Sequence, residues 1–144
     1  MQYINKQCGL LGISGGYDDM RDIIQRRDEG DNKATLAHSI FVYRIQAYVG
    51  QMAAMLNGAD AIVFAGTIGE RSVEIRRFIS NKLGYLGFKL DEEKNANPEF
   101  TNRHALISGS DSKPMYIIET DETAQMIYRA QALLGEEEAI AEEE

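Results

Sequence analysis

Three short stretches carry residue types that could do chemistry. VFAGTIGERS, Val63 to Ser72, runs from an apolar segment through Gly66 and Gly69 toward a helix. A glycine-containing strand-to-helix turn is one way to hold a phosphate, because the first N–H groups of a helix lack partners and sit at its positive dipole end. Thr67 stands between the two glycines, where a third glycine would give backbone room. Thr120-Asp121-Glu122 follows a second apolar segment, MYIIE, in the same relation to a helix. Asp19 and Arg21 follow an early glycine-rich stretch. Each also has a plain reading. The glycines could serve a tight connection alone, and the acidic residues could be helix caps.

Other chemistries find little support. His38 falls mid-helix and His104 enters a strand, and neither has a Cys, Asp or His partner at a metal-ligand spacing. No Ser-His-Asp or Cys-His arrangement can be argued from spacing, and no G-x-x-x-x-G-K-[ST] phosphate loop occurs. Both histidines read as structural or exposed.

The elements that would position these residues follow from periodicity. CGLLGISGGYDD reads as a flexible glycine-rich loop, after which Asp18 or Asp19 caps a short helix ending at Gly30. Asp31 or Asn32 caps a longer one, apolar on a wide stripe from Leu36 to Leu56 and expected to pack on a sheet. AIVFA, Ala61 to Ala65, is apolar without alternation, the pattern of a strand buried on both faces. Ser72 to Leu83 is the next helix, with Arg76 and Arg77 on its outer face. YLGFKLD reads as an edge strand, DEEKNANPEFTN as a polar loop, HALIS and MYIIE as strands, and a last helix runs to about Leu134. The alternation predicts an α/β fold with a mainly parallel sheet and flanking helices. In such sheets ligands bind beyond the carboxyl ends of the strands, where GTIGER and TDE lie.

Composition sets the outer bounds. The chain has 144 residues, 44% hydrophobic and 26% charged, which suits one globular domain. Residues 1–135 read as that domain and 136–144 as an acidic tail. Without the six glutamates of the tail the net charge of −8 falls to −2. Acidity argues against a nucleic-acid partner, and no apolar run approaches the ~20 residues that span a bilayer. Cys8 is alone and the N-terminus lacks the pattern of a signal peptide, so a reducing, cytoplasmic setting is expected.

CGLLGISGGYDDMRD, FVYRIQAYVG, DAIVFAGTIGERS, LGYLGFKLDEEKN, ISGSDSK and TDE occur in the order seen in the C-terminal part of acetate kinases and their propionate and butyrate kinase relatives. The chain resembles that family from about Leu10 to Ala130. The resemblance implies the C-terminal domain of the sugar kinase, actin and chaperone ATPase fold, which is ribonuclease H-like. It implies phosphoryl transfer between ATP and a short carboxylate, acetate first, giving ADP and acetyl phosphate. It also implies a nucleotide site, Mg²⁺ and a homodimer.

Matched residue by residue, the resemblance makes Asp19, Met20 and Arg21 adenosine contacts and Glu122 a ligand of nucleotide-bound Mg²⁺. It puts Gly66, Thr67, Ile68, Gly69 and Arg71 in the nucleotide pocket. Two of these depart from the family pattern F-T-[AG]-G-I-G-E-N. Thr67 replaces a glycine and is expected to disfavour positive φ. Arg71 replaces an asparagine. The family's catalytic groups lie upstream of the matched segment, so no catalytic residue is assigned and the chain alone is expected to be nearly inactive. The alternative is a noncatalytic relic of the family, acting as a nucleotide-binding or dimerisation module.

Overall fold

A computed structural model of the chain describes residue 3 and residues 7–141, with side chains described as far as Leu133. Glu142, Glu143 and Glu144 of the acidic tail, and the side chains of Glu136, Glu137 and Glu138, lie outside the described residues.

Helices come first. The glycine-rich stretch read as a loop contains a short helix, α1, Leu10–Ser14, closed by Gly15 at φ 81. Ser14 is buried, and its hydroxyl ties the helix end to the main chain of Tyr17. α2 spans Met20–Asp28. Asp19 caps it by accepting the Arg21 N–H, and Arg26 and Arg27 complement the dipole in the last turn. α3 spans Asn32–Met55, capped by Asp31 through the N–H groups of Lys33 and Ala34. It ends where Asn57, at φ 58, and Gly58, at φ 123, turn the chain. α3 packs on the helices α1 and α2 rather than flat on a sheet.

β1, Ile62–Phe64, leads directly into α4, Gly66–Arg71, so the predicted turn GTIGER is itself a short helix. Ser72 then caps α5, Val73–Ser80, whose buried Ile75 and Ile79 face the core and α3. Arg76 lies on that buried face, not the outer one, at 1% exposure. Its guanidinium replaces water with the carbonyls of Gly69, Glu70 and Asn95 and with the Asn95 side-chain oxygen. The segment read as an edge strand is instead a 3₁₀ turn, Gly84–Leu86, followed by a single bridge between Leu90 and Ser108. The predicted polar loop contains α6, Glu92–Ala96, which presents Asn95 to Arg76.

β2, His104–Leu106, and β3, Met115–Ile118, complete a three-stranded sheet of order β1-β3-β2. β1 and β3 are parallel, with Phe64 opposite Ile117. β2 is antiparallel to β3, with Ala105 opposite Ile117. The sheet is therefore mixed rather than mainly parallel. Asn102 and Arg103, both at positive φ, make the turn that opens β2.

The register explains the burial. Phe64, Ile117 and Ala105 form one row across the three strands and are buried. Phe64 and Ile117 join Met20 and Ile23 of α2 and Ile75 of α5 in one core. Burying such a side chain stabilises by about 1.5–3 kcal/mol, so truncating Ile117 to alanine costs roughly 3 kcal/mol. The opposite row holds Val63 and Leu106, which remain 51% and 44% exposed. β1 is thus buried on one face, contrary to the reading of AIVFA. α7, Glu122–Ala141, follows β3 and extends past Leu134; its residues through Leu133 are exposed. Among the described residues no helix is long and apolar enough to cross a membrane.

Candidate functional site

The carboxyl ends of the parallel strands β1 and β3 open side by side. Gly66 follows β1 and carries the positive φ of the segment, 70. No atom lies within 4 Å of where its Cβ would stand, so backbone conformation alone demands glycine there. Gly69 meets a different demand. A Cβ on it would lie 3.3 Å from the main-chain carbon of Phe64. The second glycine lets α4 fold back closely on β1.

Thr67 is exposed inside α4, and its φ is not positive. The expected conflict between a β-branched side chain and a left-handed backbone is absent. What remains is added volume at the surface. Ile68 is 37% exposed, and Arg71 is exposed in the last turn of α4.

Glu70 joins the two strand ends. One carboxylate oxygen, Oε1, accepts from the Gly66 N–H at 2.9 Å, the Thr120 N–H at 2.9 Å and the Thr120 hydroxyl at 2.7 Å. The bonds from Thr120, then that from Gly66, hold the carboxyl below its ordinary range. This residue was not among the predicted site residues. Its place in GTIGER, one position after Gly69, was the available signal, and its partner lies 50 residues away.

The neighbouring loop is ordered by its own pairs. Arg103 donates to the Asp121 carboxylate at 2.7 Å, while Asp121 caps α7 through the Ala124 N–H. Those contacts lower the Asp121 carboxyl, the arginine first. Glu122 is the first residue of α7 and is exposed.

Asp19 and Arg21 form a separate cluster at the start of α2. The Arg21 guanidinium reaches both Asp19 oxygens, with Nη2 to Oδ2 at 2.6 Å. This arginine, chiefly through that side-chain bond, lowers the Asp19 carboxyl to about 2. Both side chains reach solvent, whereas Met20 between them is 4% exposed and packed in the core that also holds Phe64. Met20 therefore anchors the start of α2 in that core.

Among the described residues no group of three or more His, Cys, Asp or Glu side chains could hold a metal unaided. Glu122 offers one exposed carboxylate at the start of α7, a hard oxygen donor of the type that suits Mg²⁺. A shallow cleft lined by Asp91, Glu93, Lys94, Asn97, Glu99 and Leu106 holds none of the predicted site residues. His38 is buried, against Arg27, Glu74 and Phe78, which makes it structural.

A parallel strand pair with two polar loops at its carboxyl ends is the ligand-site arrangement of α/β proteins. Within that class, a sequence description of the acetokinase family matches residues 1–129. Acetate kinase of Streptococcus gordonii is 46% identical over 120 residues, which is 83% of this chain and 29% of that protein. Acetate kinase of Desulfitobacterium hafniense is 50% identical over 93 residues, 65% of this chain and 23% of that protein. Among solved structures, a propionate kinase from Francisella tularensis aligns with a TM-score of 0.74 at 40% identity, over 84% of this chain and 30% of that one. Porphyromonas gingivalis acetate kinase aligns with a TM-score of 0.80 at 32% identity, over 92% and 33%. The chain belongs to the acetokinase family. It spans 23–31% of the length of the curated relatives it matches.

Proposed function

We propose that this chain is the nucleotide-binding part of an acetate kinase, with the sugar kinase, actin and chaperone ATPase fold. The longer protein would transfer a phosphoryl group reversibly between ATP and acetate, giving ADP and acetyl phosphate. One observation carries this reading: Glu70 brings the GTIGER helix and the Thr120-Asp121-Glu122 loop together at the carboxyl ends of β1 and β3.

Each part has a role that its chemistry suits. Gly66 to Gly69 offers main-chain approach to the nucleotide, with Thr67, Ile68 and Arg71 along its rim. Asp19 would accept from ribose hydroxyls, and Arg21 would stack on or donate to the adenosine. Met20 supports both from the core. Glu122 would hold Mg²⁺ directly or through water, and the ion's chemistry when bound is to neutralise charge on the phosphate oxygens. In these roles none of the side chains acts on the transferring phosphoryl group, and the catalytic groups that the resemblance implies lie upstream of the matched segment. The chain alone is therefore expected to bind nucleotide without turning it over.

Two further assignments go with this reading. A homodimer would cover part of the apolar surface of α3, where Met52 and Met55 are 51% and 76% exposed. A cytoplasmic setting suits one unpaired, exposed cysteine, Cys8.

Calorimetric titration of the chain with ADP and Mg²⁺ tests the nucleotide reading. Binding should weaken about tenfold in Arg21→Ala, the scale of one lost charge-assisted contact. A folded chain that releases no heat with ADP or ATP would favour the second reading, a noncatalytic dimerisation module. The exposed apolar residues of α3 are what support that alternative.

A further inference from the structure

The two strand-end loops lie 50 residues apart in sequence, yet Glu70 holds both through a single oxygen. Three donors converge on Oε1: the first N–H of α4, from Gly66, and the N–H and hydroxyl of Thr120. The contact thus spans from the end of β1 to the residue just before Asp121 and Glu122. Alanine would remove it. Glutamine would not, because its oxygen can stand at Oε1 and accept from the same donors, while its NH₂ takes the place of Oε2, which accepts none of these bonds. Aspartate is one methylene shorter and would have to choose between Gly66 and Thr120.

Both ends of the contact are fixed from behind. The carbonyls of Gly69 and Glu70 accept from the Arg76 Nη1 at 3.0 and 2.8 Å, so the main chain that carries Glu70 is held by a buried group. On the other side, Arg103 donates to the carbonyl of Thr120 and to the carboxylate of Asp121. The carboxylate is therefore a link between two held segments, and neither segment can shift far without breaking it.

We infer that Glu70 is a positioning residue that couples the nucleotide-facing helix α4 to the loop carrying Glu122, so that occupancy of one loop is felt by the other. The inference rests on the nucleotide reading for its ligands, while the link itself can be read without them. Glu70 touches no reacting atom in this role. It sets the spacing between the group that meets the nucleotide and the carboxylate that meets its cation. Linkage then requires Mg²⁺ and nucleotide to strengthen each other's binding by the same factor.

Two measurements on the 144-residue chain test this. The first is amide hydrogen exchange without ligand. In Glu70→Ala, exchange at Gly66 and Thr120 should accelerate at least about tenfold, while Ile117 and the α3 amides keep their protection. Unchanged protection at both sites, or uniform acceleration across the chain, overturns the link. The second is ADP affinity with and without Mg²⁺. The wild-type chain should bind ADP more tightly with Mg²⁺, Glu70→Ala should lose most of that ratio, and Thr120→Ser, which keeps both donors, should retain it. A Glu70→Ala chain with locally faster exchange and an intact Mg²⁺ ratio overturns the coupling. If the wild-type chain binds no ADP, the nucleotide reading fails and the link is decided by exchange alone.

Discussion

Arg76 donates twice to Asn95: from Nε to the side-chain oxygen at 2.7 Å and from Nη2 to the main-chain carbonyl at 2.9 Å. Asn95 answers by donating to the carbonyl of Val73 at 2.9 Å, on the helix that carries Arg76. Both side chains are fully buried. The guanidinium meets four oxygens, none from a carboxylate, and its burial lowers the pKa from the ordinary arginine value. Neutral oxygens therefore solvate a buried cation and join α4, α5 and α6.

Removing either partner strands the other. Asn95→Ala leaves the Arg76 Nε without its partner and takes one of the donors from the Val73 carbonyl, and Arg76→Met leaves buried carbonyls bare. Each change should lower unfolding free energy by about 3 kcal/mol, read from urea melts. A loss below about 1 kcal/mol for both would mean that water replaces the network.

Acid should act through His38. Burial, then the nearby Arg27 charge, lowers its pKa from the ordinary 6.5, although Glu74 pulls the other way. The unfolded chain then takes up a proton that the folded chain resists, so this contribution is complete above about pH 6.5 and is lost as pH falls below it. Glu74, held below its ordinary 4.5 mainly by Arg27, adds a loss in the same direction at more acidic pH. Urea midpoints should therefore fall between pH 7 and pH 5, and His38→Gln should flatten that slope. An unchanged slope in the variant would assign the effect elsewhere.

The two glycines of α4 should answer differently to alanine. Gly66→Ala forces an L side chain into φ 70 and should cost about 1–2 kcal/mol. Gly69→Ala gains helix propensity but crowds Phe64 at 3.3 Å, for a net change under about 1 kcal/mol. Thermal melts of the pair decide this, and a larger loss for Gly69→Ala would reverse the assignment.

Thr67 gives a volume test rather than a backbone test. Its φ needs no glycine, so Thr67→Gly and Thr67→Ala should shift ADP affinity by the same factor in calorimetry. Glycine should also lower helix stability by roughly 0.5–1 kcal/mol relative to alanine. Tighter binding by the glycine variant alone would restore the backbone explanation.

Local signals were legible in the sequence where they act over a few residues. Asp19 and Asp31 cap the helices they precede, and the apolar runs around Val63 and Ile117 became the parallel pair. Direction was not legible for β2, because a three-residue strand carries no mark of whether its neighbour runs parallel or antiparallel. Arg76 was misplaced because an arginine at helical spacing usually faces water, and the partner that buries it sits 19 residues on, in a segment read as loop. The order of the motifs identified the family and placed GTIGER and TDE at strand ends. It did not show that Glu70 spans them, since that depends on a pairing 50 residues long.

That separation also bears on how the chain folds. The contacts among α1, α2 and α3 are short-range and can form as soon as those helices do. Pairing β1 with β3 must wait for a loop of some fifty residues to close, at an entropic cost not repaid until the sheet forms. The helical layer should therefore assemble early and the two ligand-facing loops meet last. On this order of events, a stalled or newly made chain would hold a nearly native helical half, Asp19 and Arg21 included, without the part of the site that the strand ends supply.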